Sequence, residues 1–323
     1  MDPDEWVIAS FNLENLDNAN ASAWKERKRV LRPMLERLGA DLLLLQEVNS
    51  LAALDDLIQG TDYEKFHRAF TKSERGAPYA VRNIVTLSRW PIAEVHEYRN
   101  DLVPAPAWRM VTSRPEDKEA GPLRWERPIL YTKVKMGRRA IHVINVHLKS
   151  MNPTKIPGQT DSDKPWLWKS HGGWAEGFYL SDVKRVGQAL EARQLIDTIF
   201  EKEGEDALIV IGGDFNAFAG SAAFKAVAGS VEDTQNPKLR STVLIACEAN
   251  VPPDQRVTLI HHGKGDMLDH VLVSQALYPY WIETDIFNEV LHDESLAFAT
   301  DVTFPESDHA PVVTRFRSPH EAP

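Results

Sequence analysis

At 323 residues, with 43% hydrophobic and 26% charged content, the chain can bury a large core as one big domain or two small ones, and no segment approaches a membrane span. Its single cysteine, Cys247, excludes intramolecular disulfides and cysteine-rich zinc sites. A net charge of −10 argues against tight, general electrostatic binding of nucleic acid. An enzyme that grips a polyanion locally is still allowed, because carboxylates around a divalent cation add to the acidic balance while the metal reverses the local sign. The acidic start, Met1-Asp2-Pro3-Asp4-Glu5, lacks the basic and apolar regions of a signal peptide. The cytoplasm is the expected compartment, although a trimmed secreted chain would read the same.

Glu5 to Phe11 reads as a short strand that ends in Asn12-Leu13-Glu14-Asn15. Trp24 to Leu38 carries apolar residues at helical spacing, with Gly39 as a stop and Pro33 marking a kink or a second start. Its basic residues, Lys25, Arg27, Lys28, Arg29 and Arg32, read as a solvated face. Asp41 to Val48 is a fully apolar strand of a doubly covered sheet, and it delivers Glu47 at its edge, well placed as a ligand for a hard cation. A helix over Leu51 to Ile58 and strands over Tyr63 to Phe70 and Ile84 to Ser88 follow. Arg99 to Glu126 is proline-rich and irregular; Trp108, Arg109, Arg124 and Trp125 belong to a packed surface loop or to a substrate clamp.

Strands Ile129 to Val134 and Ile141 to Val146 are joined by a turn at Met136-Gly137-Arg138. The first is preceded by Arg127 and the second ends in His147-Leu148-Lys149. Met151 to Gly177 reads as a Gly- and Pro-rich insertion lying over the domain. Its Trp166, Trp168 and Trp174, with Phe178 and Tyr179 after them, anchor the loop or form a lid or a stacking platform for bases. Ser181 to about Phe200 is amphipathic and helical. Leu208 to Ile211 is a buried strand, which Gly212 and Gly213 are expected to stop, so that Asp214 and Asn216 emerge at its end. Alone, that stretch is equally an Asx-type turn. A short helix is expected near Phe224 to Val227. The run His261-His262-Gly263 is a loop or a weak metal site, Met267 to Ser274 is a buried strand carrying Asp269, and Asp308-His309 precedes a strand over Val312 to Phe316, beyond which the chain should fray. Two halves of mixed strands and helices, each with polar residues at strand ends, fit two packed sheets with helices outside.

Taken in order, Phe-Asn-Leu-Glu-Asn, Leu-Leu-Gln-Glu-Val, Asn-Val-His-Leu, Gly-Asp-Phe-Asn, Leu-Asp-His and Ser-Asp-His make the chain resemble the endonuclease/exonuclease/phosphatase superfamily from Phe11 to about Phe316. That resemblance implies an α/β, DNase-I-like four-layer αββα sandwich over residues 1–323 as a single domain with the insertion at about 151–177. It also implies phosphoester hydrolysis with a divalent metal, commonly Mg²⁺, with Mn²⁺ or Ca²⁺ as alternatives. Residue by residue, Glu47 would be the principal metal ligand with Asn12 and Asp308 beside it. Asp214 would orient or deprotonate the attacking water, Asn216 would hold a phosphate oxygen, and His309, oriented by Asp269, would donate to the phosphate. His147 and Arg127 would contact the phosphate or assist the leaving group.

The chain departs from the family's phosphatases, which usually carry Gly-Asp-Leu-Asn-Tyr-Arg and Cys-Asp-Arg where this sequence has Gly-Asp-Phe-Asn-Ala-Phe and Leu-Asp-His. Abasic-site enzymes carry tyrosine where His147 stands, and some relatives use aspartate at the place of Glu14. The expected activity is cleavage of DNA or RNA. A lipid headgroup, nucleotide or other small phosphoester is the alternative substrate, and a binding protein that lost the activity is the remote one.

Overall fold

Runs of four or more apolar residues, such as Leu42-Leu43-Leu44-Leu45 and Leu208-Ile209-Val210-Ile211, are buried on both faces, and this requires sheets covered on each side. The computed structural model, described over residues 4–300 and 302–318, meets that requirement with two six-stranded mixed sheets packed face to face. In the first sheet the order is Trp281–Ile286, Val312–Arg317, Glu5–Leu16, Leu42–Val48, Asn83–Ser88 and His67–Phe70. In the second it is Ile245–Ala246, Asp269–Val273, Leu208–Asp214, Arg139–His147, Ile129–Met136 and Ile92–Tyr98. No helix among the described residues is long and apolar enough to cross a membrane.

Side-chain alternation builds the layers. Ile8, Leu42 and Leu44 face inward against Val143, Leu208, Val210 and Val271, making the seam between the sheets. Val7, Ala9, Leu43 and Leu45 face outward onto Leu31, Leu35, Leu54 and Leu57 of the helices Ala21–Leu38 and Leu51–Ile58. On the other side Ile144, Val146, Ile209 and Ile211 meet Ala189, Ala192 and Ile196 of the helix His171–Glu203. The result is the expected four-layer arrangement. Near its upper end the seam turns polar: Gln46 Nε2 donates to Asn145 Oδ1 at 2.8 Å, joining the sheets, and Asn145 Nδ2 donates to Val85 O at 2.9 Å.

Several local expectations are corrected. Gly212 and Gly213 do not stop their strand, which runs on to Asp214. Their smallness serves close approach instead: a Cβ on Gly213, at φ 142°, would lie 1.9 Å from Val146 O. The long helix begins at His171 rather than Ser181, so Trp174, Phe178 and Tyr179 lie on its first turns and not in a loop. Pro33 sits inside one continuous helix, which Gly39 caps in the left-handed region.

The basic face of that helix is only partly solvated. Arg27 donates to Leu13 O and Glu14 O at 2.6 and 2.7 Å, Arg32 reaches Asp56 O and Leu57 O, and Lys28 pairs with Asp56. Trp125 is no clamp either, being buried with its indole N–H on Glu191. Tyr63 belongs to a 3₁₀ turn, and the strand proper is His67–Phe70. His261 and His262 sit at the tip of a hairpin, where His261 pairs with Glu294 at 2.7 Å. The expected fraying after Arg317 lies, from residue 319 on, outside the described residues.

Candidate active site

Strand direction gathers the polar residues at one end. Glu5–Leu16, Leu42–Val48, Arg139–His147 and Leu208–Asp214 carry theirs late, at Asn12, Glu47, His147 and Asp214. Ile129–Met136, Asp269–Val273 and Val312–Arg317 run antiparallel to their neighbours, so they contribute residues at or before their starts: Arg127, Asp269, and Asp308 with His309. Cross-strand pairing of Asp214 with both His147 and Asp269 fixes the second-sheet half.

Asp214 is the hub. Its Oδ2 lies 3.1 Å from Asn12 Nδ2, 3.0 Å from Asn216 Nδ2, 3.3 Å from His147 Nε2 and 4.0 Å from His309 Nε2; its Oδ1 accepts the Asn216 N–H at 2.8 Å. Burial would raise this carboxyl, but His147, His309 and the backbone N–H of Asn216 outweigh it and hold it well below the ordinary carboxylate range. His147, buried and beside Arg127, is pushed down and stays neutral at pH 7. Donating to Asp214 therefore puts its proton on Nε2, and Nδ1 is left without a partner among the described residues. For His309, burial acts downward but is overcome by Asp269, Asp214 and Asp308, so the ring is held well above its ordinary value. Its Nδ1 donates to Asp269 Oδ2 at 2.7 Å, and Nε2 faces the mouth beside Asp214.

The first sheet supplies carboxylates. Glu47 adopts φ 57°, a left-handed conformation at a strand end, and its Oε2 accepts the Asn15 N–H at 3.0 Å, while Oε1 lies 3.6 Å from His147 and 3.8 Å from Arg82. Glu14, also at positive φ, accepts the Asp308 N–H at 3.1 Å. Burial, reinforced by Asp308, pushes Glu14 up to about 7, and burial, reinforced by Glu294, Glu47 and Asp214, pushes Asp308 up to about 6. Asp308 Oδ1 is buried without a hydrogen-bond partner among the described residues. Crowded carboxyls that resist ionisation, as Glu14 and Asp308 do, are what a hard divalent cation relieves; of the expected ligands Asp308 offers the orphaned oxygen, while Asn12 Oδ1 already accepts the Glu14 N–H at 2.9 Å. A second group, Asp214, Asp269 and His309, has ligand atoms within 4.8 Å of one another and could also hold a metal. There the Asp269–His309 bond occupies Oδ2 and Nδ1, while Asp269 Oδ1 is buried without a partner among the described residues.

Two assigned residues are busier than expected. Arg127 is buried and gives Nη1 to the carbonyls of His147 and Leu148. Asn216 gives its amide hydrogens to Leu148 O and Asp214, so here it fixes the hub. Sequence reasoning missed Arg27, which pins the Leu13 and Glu14 carbonyls, and Ser307, whose hydroxyl donates to Asn12 O at 2.7 Å. It also missed Arg185 and Gln188, which reach Lys149 from the long helix. A polar residue inside an apolar strand, as at Gln46 and Asn145, was the one available signal of the inter-sheet bridge.

A profile of the Endonuclease/Exonuclease/phosphatase family matches residues 9–309, a span that contains every residue of this site. The chain belongs to that family. As a member it is a phosphoester hydrolase, in keeping with the site's chemistry. Among solved structures it is similar to truncated TDP2 of Caenorhabditis elegans (15% identity, 97% of each chain covered, TM-score 0.58). It is also similar to an AP endonuclease from Archaeoglobus fulgidus (15%, 96% of this chain and 99% of that one, TM-score 0.52). A third is the 3′ phosphatase NExo from Neisseria bound to product DNA hairpin (18%, 96% and 99%, TM-score 0.54). At these identities the likeness speaks for the fold. No curated protein matches the chain.

Proposed function

We propose that this family member is a Mg²⁺-dependent phosphodiesterase that cleaves nucleic acid, DNA or RNA, by attack of a water held on Asp214. The observation that carries the reading is the hub itself: an ionised carboxylate fixed by Asn12, Asn216 and His147, with a cationic His309 4.0 Å away. Bound by Glu47, Asn12 and Asp308, the cation would neutralise phosphate oxygens and favour the leaving oxygen's departure.

The protein's own groups do the rest. Asp214 accepts a hydrogen bond from the attacking water and orients it. As the new P–O bond forms it takes the water's proton and passes it to solvent, while the opposite P–O bond breaks and the departing oxygen is protonated from solvent. His309 donates from Nε2 to the phosphate as negative charge grows, and Asp269 keeps the ring oriented and protonated. His147, neutral with its proton on Nε2, donates to Asp214 or to a phosphate oxygen. Arg127 supports the strand end that carries His147 and adds positive charge behind it. A polynucleotide substrate is supported by similarity to an AP endonuclease and to a structure holding a DNA hairpin. The net charge of −10 favours a small phosphodiester as the second reading. We place the enzyme in the cytoplasm, a reducing setting that suits its one buried cysteine.

The test is hydrolysis of single- and double-stranded DNA, RNA, bis-p-nitrophenyl phosphate and p-nitrophenyl phosphate, with Mg²⁺ or chelator, by wild type beside Asp214→Ala. Metal-dependent polynucleotide cleavage by wild type alone is expected. Turnover of the small diester without polynucleotide cleavage would move the assignment to the second reading. Cleavage that persists in Asp214→Ala would sink the mechanism.

A further inference from the structure

Asp269 and His270 are consecutive on one strand and therefore point to opposite faces. Asp269 turns into the site and holds His309. His270 turns outward beneath the Phe215-Asn216-Ala217 turn, fully buried, and has no part in the chemistry so far described. Its Nδ1 lies 2.6 Å from Glu248 Oε1, and its Nε2 lies 2.8 Å from the carbonyl of Ala217. A backbone carbonyl only accepts, so Nε2 must carry a proton. Nδ1 then shares its hydrogen bond with the Glu248 carboxyl. Glu248 Oε2 meanwhile takes the Val271 N–H at 3.3 Å. Phe215 and Phe224 stand edge-on to the ring at 5.2 and 4.8 Å, which shuts out water and fixes its plane.

The turn that His270 holds is strained where it matters. Asn216, at φ 47°, occupies the left-handed region, and from there it directs both its N–H and its side-chain amide to Asp214. We propose that the Glu248–His270 pair is a positioning device for the reaction: by tethering the Ala217 carbonyl it keeps Asn216 in the conformation that aims Asp214. This rests on the proposed role of Asp214, and it predicts coupling between two residues that do not touch.

The test compares His270→Asn, whose amide is too short to reach Ala217 O, with His270→Gln, whose terminal amide can. Each is made alone and in an Asn216→Ala background. On bis-p-nitrophenyl phosphate, His270→Asn should lower kcat about 10- to 100-fold with KM within about twofold, and His270→Gln should recover most of that loss. In the Asn216→Ala background His270→Asn should cost nothing further. Equal fractional losses in both backgrounds, or no recovery by Gln, would overturn the proposal.

Should the wild type cleave no phosphoester, the functional reading fails but the tether is still decided by amide hydrogen exchange. His270→Asn should speed exchange across Phe215–Ala217 while the melting temperature of the rest holds, and unchanged exchange there would overturn it. If His270→Asn does not fold, Glu248→Gln carries the same readouts, with faster exchange at the turn expected and unchanged exchange again decisive against it.

Discussion

The two sheets bring opposite things to the mouth between them. From the second come His147, Asp214, Asn216 and Asp269, all buried, with Asp214 alone engaging three side chains and Asp269 holding His309. From the first come Glu14, Glu47 and Asp308, crowded carboxylates with two left-handed backbone positions and an orphaned oxygen. The second is the more densely hydrogen-bonded, although His147 Nδ1 and Asp269 Oδ1 have no partner among the described residues and Asn216 is left-handed; the first gathers the carboxyls. On the proposed reading, the contrast separates a preorganised hydrogen-bond network from the carboxyls that would receive a cation.

Removing the centre of the second sheet's network should have the largest effect. Asp214→Asn keeps the shape but loses the charge and should cut kcat by about 100- to 10,000-fold, measured on the small diester. If its loss were no larger than that of Glu47→Gln at saturating Mg²⁺, the division between the halves would be wrong. Next, His309→Gln should cost about 100-fold, chiefly in kcat, because a neutral donor replaces a charged one.

The first sheet's carboxyls should reveal themselves through pH. Asp308 at about 6 and Glu14 at about 7 have folded values above their unfolded ones, so the stability they confer is fully present at low pH and is lost as pH rises through roughly 6 to 7. A cation competes with those protons. The rise in melting temperature on adding Mg²⁺ should therefore grow from pH 5 to pH 8, and a constant increment would contradict the comparison.

The smallest effect is expected at the aromatic surface, where the two tryptophans should separate. Trp168 packs with Leu123, Ile156 and Leu180, so Trp168→Ala should lower the melting temperature. Trp174 is 44% exposed, so Trp174→Ala should leave stability alone and raise KM on a polynucleotide by up to about 10-fold if bases stack there.

Much of this was legible in the sequence. Buried strands such as Leu42–Val48 and Leu208–Asp214 announce themselves as unbroken apolar runs, and polar groups just past several such runs mark a common edge. The edge strands Ile92–Tyr98 and Trp281–Ile286 were missed because, half exposed, they lack either a clean alternation or a solid apolar run. The first turns of the long helix were hidden by Gly172, Gly173 and Gly177, poor helix formers. Gly173 and Gly177 are kept for tertiary reasons, since a Cβ on Gly173 would sit 2.5 Å from Gln159 Oε1 and one on Gly177 2.4 Å from Thr154 O. Arg27 and Ser307 act on backbone carbonyls in other elements, Ser307 from the far end of the chain, and contacts of that kind leave no local pattern to read.

The amide bridge between Gln46 and Asn145 has a mechanical consequence. Interlocked side chains already resist sliding between the two faces, and the proposed hydrolysis needs groups from both sheets closely in phase. Sited just beneath the mouth, the paired amides act as a key in a slot: any slip between the layers must break them in a dry interior, where the loss is costly. Each round of folding thus delivers the halves in a single alignment, and a worn key, as in Gln46→Leu, would be felt first as an enzyme out of true while its sheets remained intact.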